Sequence, residues 1–271
     1  MTTAQLPRRP VGMAKVCALS WLPQVMCGRT ALTATPEDLR EAIGLSETPK
    51  MTPRWNVPPS QPVSVVRVLH GSPRTMDSMR WGLLPAWSKD RAVGNKLFLA
   101  RSETVGHAAA FRDAVRNRRC LVVVDGFYEW KRPARRASAA RTRRAAVMPA
   151  SQPFFVRRGD RAPFALAGVW DRWTSSDGEV VESCAILTQA ARPPVDEVHE
   201  RMPLVLERDE WDRWLDATVT NVESLAGLLS PHAPALVAFP VGAYVNDPRH
   251  DDPRCLEYED PPQRSLFSTS R

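Results

Sequence analysis

Five short apolar runs, at residues 63–69, 120–124, 154–157, 164–170 and 183–188, most constrain what this chain can fold into. Each has the length and the β-branched or aromatic content of a strand. The helical signals around them are equally short. Thr35-Pro36-Glu37-Asp38 combines a capping hydroxyl, proline at the first helical position and acids in the first turn, and predicts a helix to about Gly44. Further helices are expected over 107–118 and 209–215, where Trp211, Trp214 and Leu215 share an inward face. Strands and helices do not alternate regularly, and no segment repeats. The expected fold is α+β, with a mainly antiparallel sheet that can close like a barrel and short helices around it.

Composition adds bounds rather than identity. With 271 residues, 43% hydrophobic and 25% charged, the chain can bury a sizeable core. No apolar run approaches the ~20 residues of a membrane-spanning helix, so no membrane partner is expected. Lys+Arg exceed Asp+Glu by 37 to 30, a net +7 that suits an anionic partner and is equally compatible with simple solubility. Cys17, Cys27, Cys120, Cys184 and Cys255 are odd in number and form no Cys-x-x-Cys pair, and His70, His107, His199, His232 and His250 show no metal-ligand spacing. Neither a disulfide framework, a metal nor another cofactor is expected, and reduced thiols fit a cytoplasmic protein.

Residues 1–26 hold a short apolar stretch ended by Pro23, with no small-residue cleavage site before Cys27. They read as an extension absent from the mature protein, with Met26 as the initiator. The folded body is expected over 27–246. Within it, residues 131–152 carry Lys131, Arg132, Arg135, Arg136, Arg141, Arg143 and Arg144 with no acid, which fits a solvated loop and a DNA-phosphate arm equally. Residues 247–271, rich in Pro, Asp and Arg, are expected to form a flexible tail.

Four segments stand out for chemistry: Met26-Cys27-Gly28-Arg29, Ala100-Arg101-Ser102-Glu103-Thr104, Asp125-Gly126-Phe127-Tyr128-Glu129-Trp130 and His199-Glu200-Arg201-Met202-Pro203. Arg54-Trp55-Asn56-Val57-Pro58-Pro59 and Arg80-Trp81-Gly82-Leu83-Leu84-Pro85 lie between the first two. Taken singly, each has a plain explanation. A cysteine is most often a small buried hydrophobe, a glutamate beside a tryptophan usually lies on a wet strand face, and a loop histidine is usually polar surface.

In this order and together, the six segments resemble the SRAP (SOS-response-associated peptidase) family over roughly residues 26–245. The resemblance implies a protein that senses abasic sites in single-stranded DNA during the DNA damage response. It implies a covalent crosslink through Cys27 as the first residue of the mature chain. An N-terminal cysteine can do this because its α-amine, with a pKa of roughly 7.7–8.0, condenses with the lesion's aldehyde and its thiol then closes a thiazolidine. An internal cysteine has its nitrogen locked in an amide. The same resemblance places Glu129 and His199 beside Cys27 as proton carriers, and Arg29, Arg101 and Arg201 on phosphates. It sets Trp81 and Trp130 along the DNA path and Asn56 and Pro59 on the adjoining loop. Ion pairing with Glu103 or Glu200 is the plainer role for the arginines, and core packing for the tryptophans.

One position departs from the family pattern. The asparagine usually found two residues before the arginine is here Leu99, which can neither donate nor accept a hydrogen bond. Near the end of the chain, Gln263-Arg264-Ser265-Leu266-Phe267 looks like a peptide that docks on the bacterial sliding clamp, and a featureless terminus is the plainer reading. Two rival functions stay open. One is a cysteine peptidase with Cys27 as nucleophile, His199 as base and Glu129 as orienter. The other is a reversible single-strand-binding module. The chain is expected to be a nucleoid-associated monomer, with lyase or autopeptidase side activity.

Overall fold

The computed structural model describes residues 28–69, 72–133, 151–230 and 234–258. In chain order the strands are β1 (Arg29–Leu32), β2 (Arg54–Val57), β3 (Pro62–Arg67), β4 (Thr75–Trp81), β5 (Leu99–Arg101), β6 (Arg119–Val124) and β7 (Gly126–Lys131). They continue as β8 (Gln152–Arg158), β9 (Phe164–Thr174), β10 (Val180–Ala190), β11 (Arg201–Pro203), β12 (Val205–Leu206) and β13 (Leu236–Pro240). One sheet runs β13-β8-β7-β1-β2, the other β11-β10-β4-β3-β6-β9-β12 with β5 also on β10. Only the β10–β4 and β10–β5 pairings are parallel. The fold is therefore α+β with mainly antiparallel sheets in a barrel-like body, as the apolar runs predict.

Every residue of β6 is buried, and the reason is that both faces of its sheet are covered. Leu121 and Val123 point into one cluster with Leu39, Ile43, Val115 and Trp214 of the helices. Val122 and Val124 point the other way, into a cluster shared with Trp81, Phe127, Val156 and Ile186. The second cluster thus joins the two sheets. The outer face of the first sheet is closed by Val241, Val245 and Cys255 against Tyr128 and Phe155.

The helices are α1 (Pro36–Ile43), α2 (Arg112–Asn117), α3 (Trp211–Leu215) and α4 (Ala226–Leu229). Thr35 caps α1 by accepting from the Asp38 N–H at 3.1 Å, and Gly44 ends it with φ 74°. The helix expected over 107–118 is shorter, because successive turns carry the chain from Thr104 to Phe111 and bury Val105 and Phe111 before α2 begins. Arg119, only 5% exposed, ties the ends of α2 and α3 together. It donates to the carbonyls of Val115 (2.8 Å), Arg116 (2.9 Å), Trp214 (2.6 Å) and Asp216. A buried cation is tolerable here because it meets carbonyl oxygens at two helix C-termini.

The tail boundary expected at 247 falls too early. Residues 247–258 fold back on β2, with a 3₁₀ turn at Pro253–Leu256 whose Cys255 is buried. The acids that suggested a solvated tail are used internally: Asp251 accepts from the N–H groups of Trp55 (2.6 Å) and Asn56 (3.0 Å) and pairs with Arg54. Residues 1–27, most of the basic loop and the Gln263–Phe267 peptide lie outside the described residues.

Gly126, at the start of β7, has no room for a side chain. An added Cβ would stand 2.3 Å from Phe155 Cζ and 2.5 Å from the Val156 carbonyl oxygen. Gly126→Ala is expected to lower stability by about 1–3 kcal/mol, the usual cost of overpacking, seen as a lower urea midpoint.

Candidate active site

The N-terminal strand enters the site at Arg29. Its guanidinium donates to Asn56 Oδ1 at 2.9 Å, to the Val245 carbonyl at 2.9 Å and to the Asn246 carbonyl at 3.3 Å. Burial lowers its pKa, and the Asp247 carboxylate opposes that shift. Asn56 is fully buried. Its amide nitrogen donates to the carbonyls of His250 (2.8 Å), Val245 (3.1 Å) and Asp247 (3.2 Å). Asn56 therefore holds Arg29 and the C-terminal segment, and has no polar atom facing solvent. Any DNA contact attributed to it passes through Arg29.

Antiparallel pairing sets Arg29 opposite Tyr128 and Thr30 opposite Phe127. Continued by one residue, that register runs Gly28 toward Glu129. Gly28 is buried, and the Glu129 residue is 1% exposed. Glu129 shares its strand face with Phe127, which belongs to the apolar cluster holding Val195 and Met202, neighbours in sequence of His199 and Arg201. Cys27, the predicted nucleophile, lies outside the described residues. The three described cysteines are unsuited to its role. All are buried, and burial pushes the Cys184 thiol up to about 12 and raises those of Cys120 and Cys255.

The end of β10 gathers the other predicted residues. β5 pairs alongside it, setting Arg101 opposite Thr188, while β11 sets Arg201 opposite Ala190. Arg201 makes a forked pair with Glu103 at 2.5 and 2.9 Å and also donates to the carbonyl (2.7 Å) and hydroxyl (3.0 Å) of Thr188. That fork holds the Glu103 carboxyl below the usual carboxylate range. The ion-pair alternative thus describes Arg201, and a phosphate there would have to compete with Glu103. Arg101 differs: it is exposed and donates no hydrogen bond to a described residue. His199 is half-buried, and its Nδ1 accepts from the Arg201 N–H at 3.1 Å. The same Nδ1 lies 3.2 Å from the Arg201 carbonyl, so the backbone of Arg201 fixes this edge of the ring and leaves Nε2 as the other ring nitrogen. Leu99 is half-buried and packs with Phe98 on the cluster between the sheets.

The aromatic expectations separate. Trp81 is fully enclosed, with its Nε1–H donated to the Phe98 carbonyl at 2.9 Å. A ring with no exposed surface cannot stack on a base, so the DNA-path expectation for Trp81 is corrected to core packing. Trp130 is half-buried, and its Nε1–H donates to Asn246 Oδ1 at 2.7 Å. Pro59 is half-buried in the turn before β3. Trp87, 61% exposed, stands between Ala86, whose N–H donates to Asp171, and Ser88, whose carbonyl accepts from Trp173, at the opposite end of β10 from Arg101 and Arg201.

A pocket of about 620 Å³, lined by Thr33, Asp125, Arg157, Phe239 and Leu256 among others, includes none of the predicted site residues. Among the described residues there is no cluster of His, Cys, Asp and Glu able to hold a metal. No described helix is long and apolar enough to cross a membrane.

Comparison with known proteins gives the family. The family model for SOS response associated peptidase (SRAP) matches residues 26–248. The abasic site processing proteins YoqW and YoaM of Bacillus subtilis are 30% and 31% identical, over 86% of this chain and 99% of each relative. The abasic site processing protein HMCES of Xenopus tropicalis is 29% identical, over 85% of this chain and 78% of its own length. A crystal structure of a Bacteroides thetaiotaomicron protein superposes with a TM-score of 0.70 at 20% identity, covering 86% of this chain and all of that one, which is a likeness of fold. A phage-related protein of Bordetella bronchiseptica gives 0.60 at 26% identity, covering 79% and 94%. With the family model spanning most of its length, this chain belongs to the SRAP family.

Proposed function

We propose that this protein processes abasic sites in single-stranded DNA by a covalent crosslink through Cys27, exposed as residue one after initiation at Met26. The observation that carries the reading is the β1–β7 register, which runs the residue following Cys27 toward the buried carboxylate of Glu129. The names of the relatives, abasic site processing proteins, supply the substrate class.

The chemistry balances without a cofactor. The ring-opened lesion presents an aldehyde; the neutral α-amine of Cys27 adds to it, and water leaves to give an imine. The thiol then adds to the imine carbon while its proton passes to nitrogen, closing a five-membered thiazolidine. Glu129 carries protons to and from the amine. His199 donates from Nε2 to the sugar oxygen as the ring opens. Arg101 binds the phosphate beside the lesion, and Arg29 adds positive charge next to Cys27. Trp130 offers a ring on which a base stacks. Elimination of the 3′ phosphate from the same imine would give lyase activity in place of a lasting crosslink.

The deciding experiment is intact mass under denaturing conditions after mixing with abasic single-stranded DNA. The Cys27-terminal form is expected to gain the DNA mass less one water. Cys27→Ala and a form with one residue added before Cys27 should gain nothing. An adduct from the extended form would favour the peptidase-like thiol reading, and none from any form would favour reversible binding.

Two variants test the site further. Leu99→Asn restores a hydrogen-bonding side chain and is expected to speed crosslinking about fivefold, the worth of one bond of roughly 1 kcal/mol. An unchanged rate would assign position 99 no part in the reaction. Arg101→Ala is expected to weaken binding to every single-stranded sequence alike and to flatten the salt dependence by about 0.7. A slope equal to wild type would remove Arg101 from the phosphate contacts.

A further inference from the structure

Trp130 is the last residue but one of β7 and is half-buried, and three groups surround its indole. Its Nε1–H donates to Asn246 Oδ1 at 2.7 Å, the Arg29 guanidinium carbon stands 5.7 Å from its ring centroid, and the Tyr128 ring lies at 6.4 Å, tilted by 42°. Arg29 and Tyr128 limit where the ring can go. Among the described residues, only Asn246 fixes its rotation through a directional bond.

A hydrogen bond between two exposed side chains normally counts for little, because ordering both costs what the bond returns. Asn246 is exposed but its backbone is already fixed. Its own carbonyl accepts from Arg29 at 3.3 Å, and that of Val245 accepts from Arg29 at 2.9 Å and from Asn56 at 3.1 Å. Val245 is fully buried in the cluster that also includes Tyr128. The amide therefore reaches the indole from an anchored turn, and little more than its own rotamer remains to be ordered.

An indole N–H is a donor only. Deprived of Asn246, it would turn to water and the ring would lose the one bond that sets its plane. Stacking on a base needs a ring face, not an edge. We infer that Asn246 is a positioning residue that orients the Trp130 indole for contact with single-stranded DNA beside the lesion. The inference rests on the proposed function of the site.

The test compares Asn246→Ala, Asn246→Asp and Trp130→Phe, with the Ala change also made in the Phe background. Binding is read on single-stranded DNA carrying a tetrahydrofuran abasic analogue, and crosslinking on true abasic DNA at saturation. Asn246→Ala is expected to raise the half-saturating DNA concentration roughly fivefold with the saturating rate unchanged, while Asn246→Asp, which keeps an acceptor oxygen, recovers most of the loss. In the Trp130→Phe background the Ala change should cost less than about twofold, since nothing remains to orient. An equal loss in both backgrounds, or none in the wild-type background, would overturn the inference.

A DNA-free readout separates the two claims. The Trp130 indole N–H resonance, identified by its disappearance in Trp130→Phe, should move in Asn246→Ala and return toward its wild-type position in Asn246→Asp. A stationary resonance sinks the positioning role even if crosslinking is intact. A moving resonance in protein that neither binds nor crosslinks abasic DNA would instead sink the functional reading and support the Asn246–Trp130 coupling.

Discussion

The demand that buried polar groups be satisfied, met at Asn56, shapes the site more than any apolar contact. Its amide is fully buried, accepts from Arg29 and donates to three carbonyls of residues 245–250. Each such group left without a partner would cost about 1–3 kcal/mol. The chain beyond β13 therefore returns to β2, and Asp251 completes the docking on Trp55 and Asn56. Nearly 200 residues separate the partners, so β2 and residues 245–251 satisfy one another only once the chain has brought them together. Their junction lies beside the strand that follows Cys27.

The apolar framework does the opposite task, bringing distant strands to one place without regard to charge. β6 is buried on both faces, and the cluster on one of them reaches from Phe127 to Ile186 and Met202. Side chains two residues away from these, Glu129 on β7 and Thr188 on β10, are carried to the border of that cluster by strand alternation alone. Leu99 belongs to the same border. Its side chain extends the apolar surface there and supplies no hydrogen-bonding group.

Much of this was legible in the sequence because it depends on local pattern. The five apolar runs lie in strands, and Thr35, Pro36 and Gly44 bound α1 as capping chemistry requires. The failures share a physical cause, which is that a side chain's partner is not written beside it. Asp251 reads as part of a solvated tail because the N–H groups and arginine it serves lie some 195 positions earlier, whereas Asp247 and Asp252 pair with Arg249 and Arg254 two residues on. The helix expected from 107 starts at Arg112 because burial of Val105 and Phe111 favours turns over helical propensity. Trp81 and Trp87 are alike as residues. The alternation of β4, with Met79 and Trp81 inward and Arg80 less buried between them, was the signal that separates the enclosed ring from the exposed one.

The three arginines show how one residue type can be put to different uses within a site. Arg29 is half-buried, with its hydrogen bonds made to an amide and to backbone carbonyls, so among the described residues no carboxylate neutralises its charge through a direct bond. Arg201 is forked onto Glu103 and adds little net charge. Arg101 stands exposed across β10 from it. An anion approaching the end of β10 therefore meets one cation ready to bind it and one already paired. Because field falls off slowly in a low-dielectric surrounding while a hydrogen bond does not, the charge of Arg29 can be felt beyond its contacts without loss of the bonds that hold the C-terminal segment in place. Folding and anion attraction thus draw on the same guanidinium without competing for it.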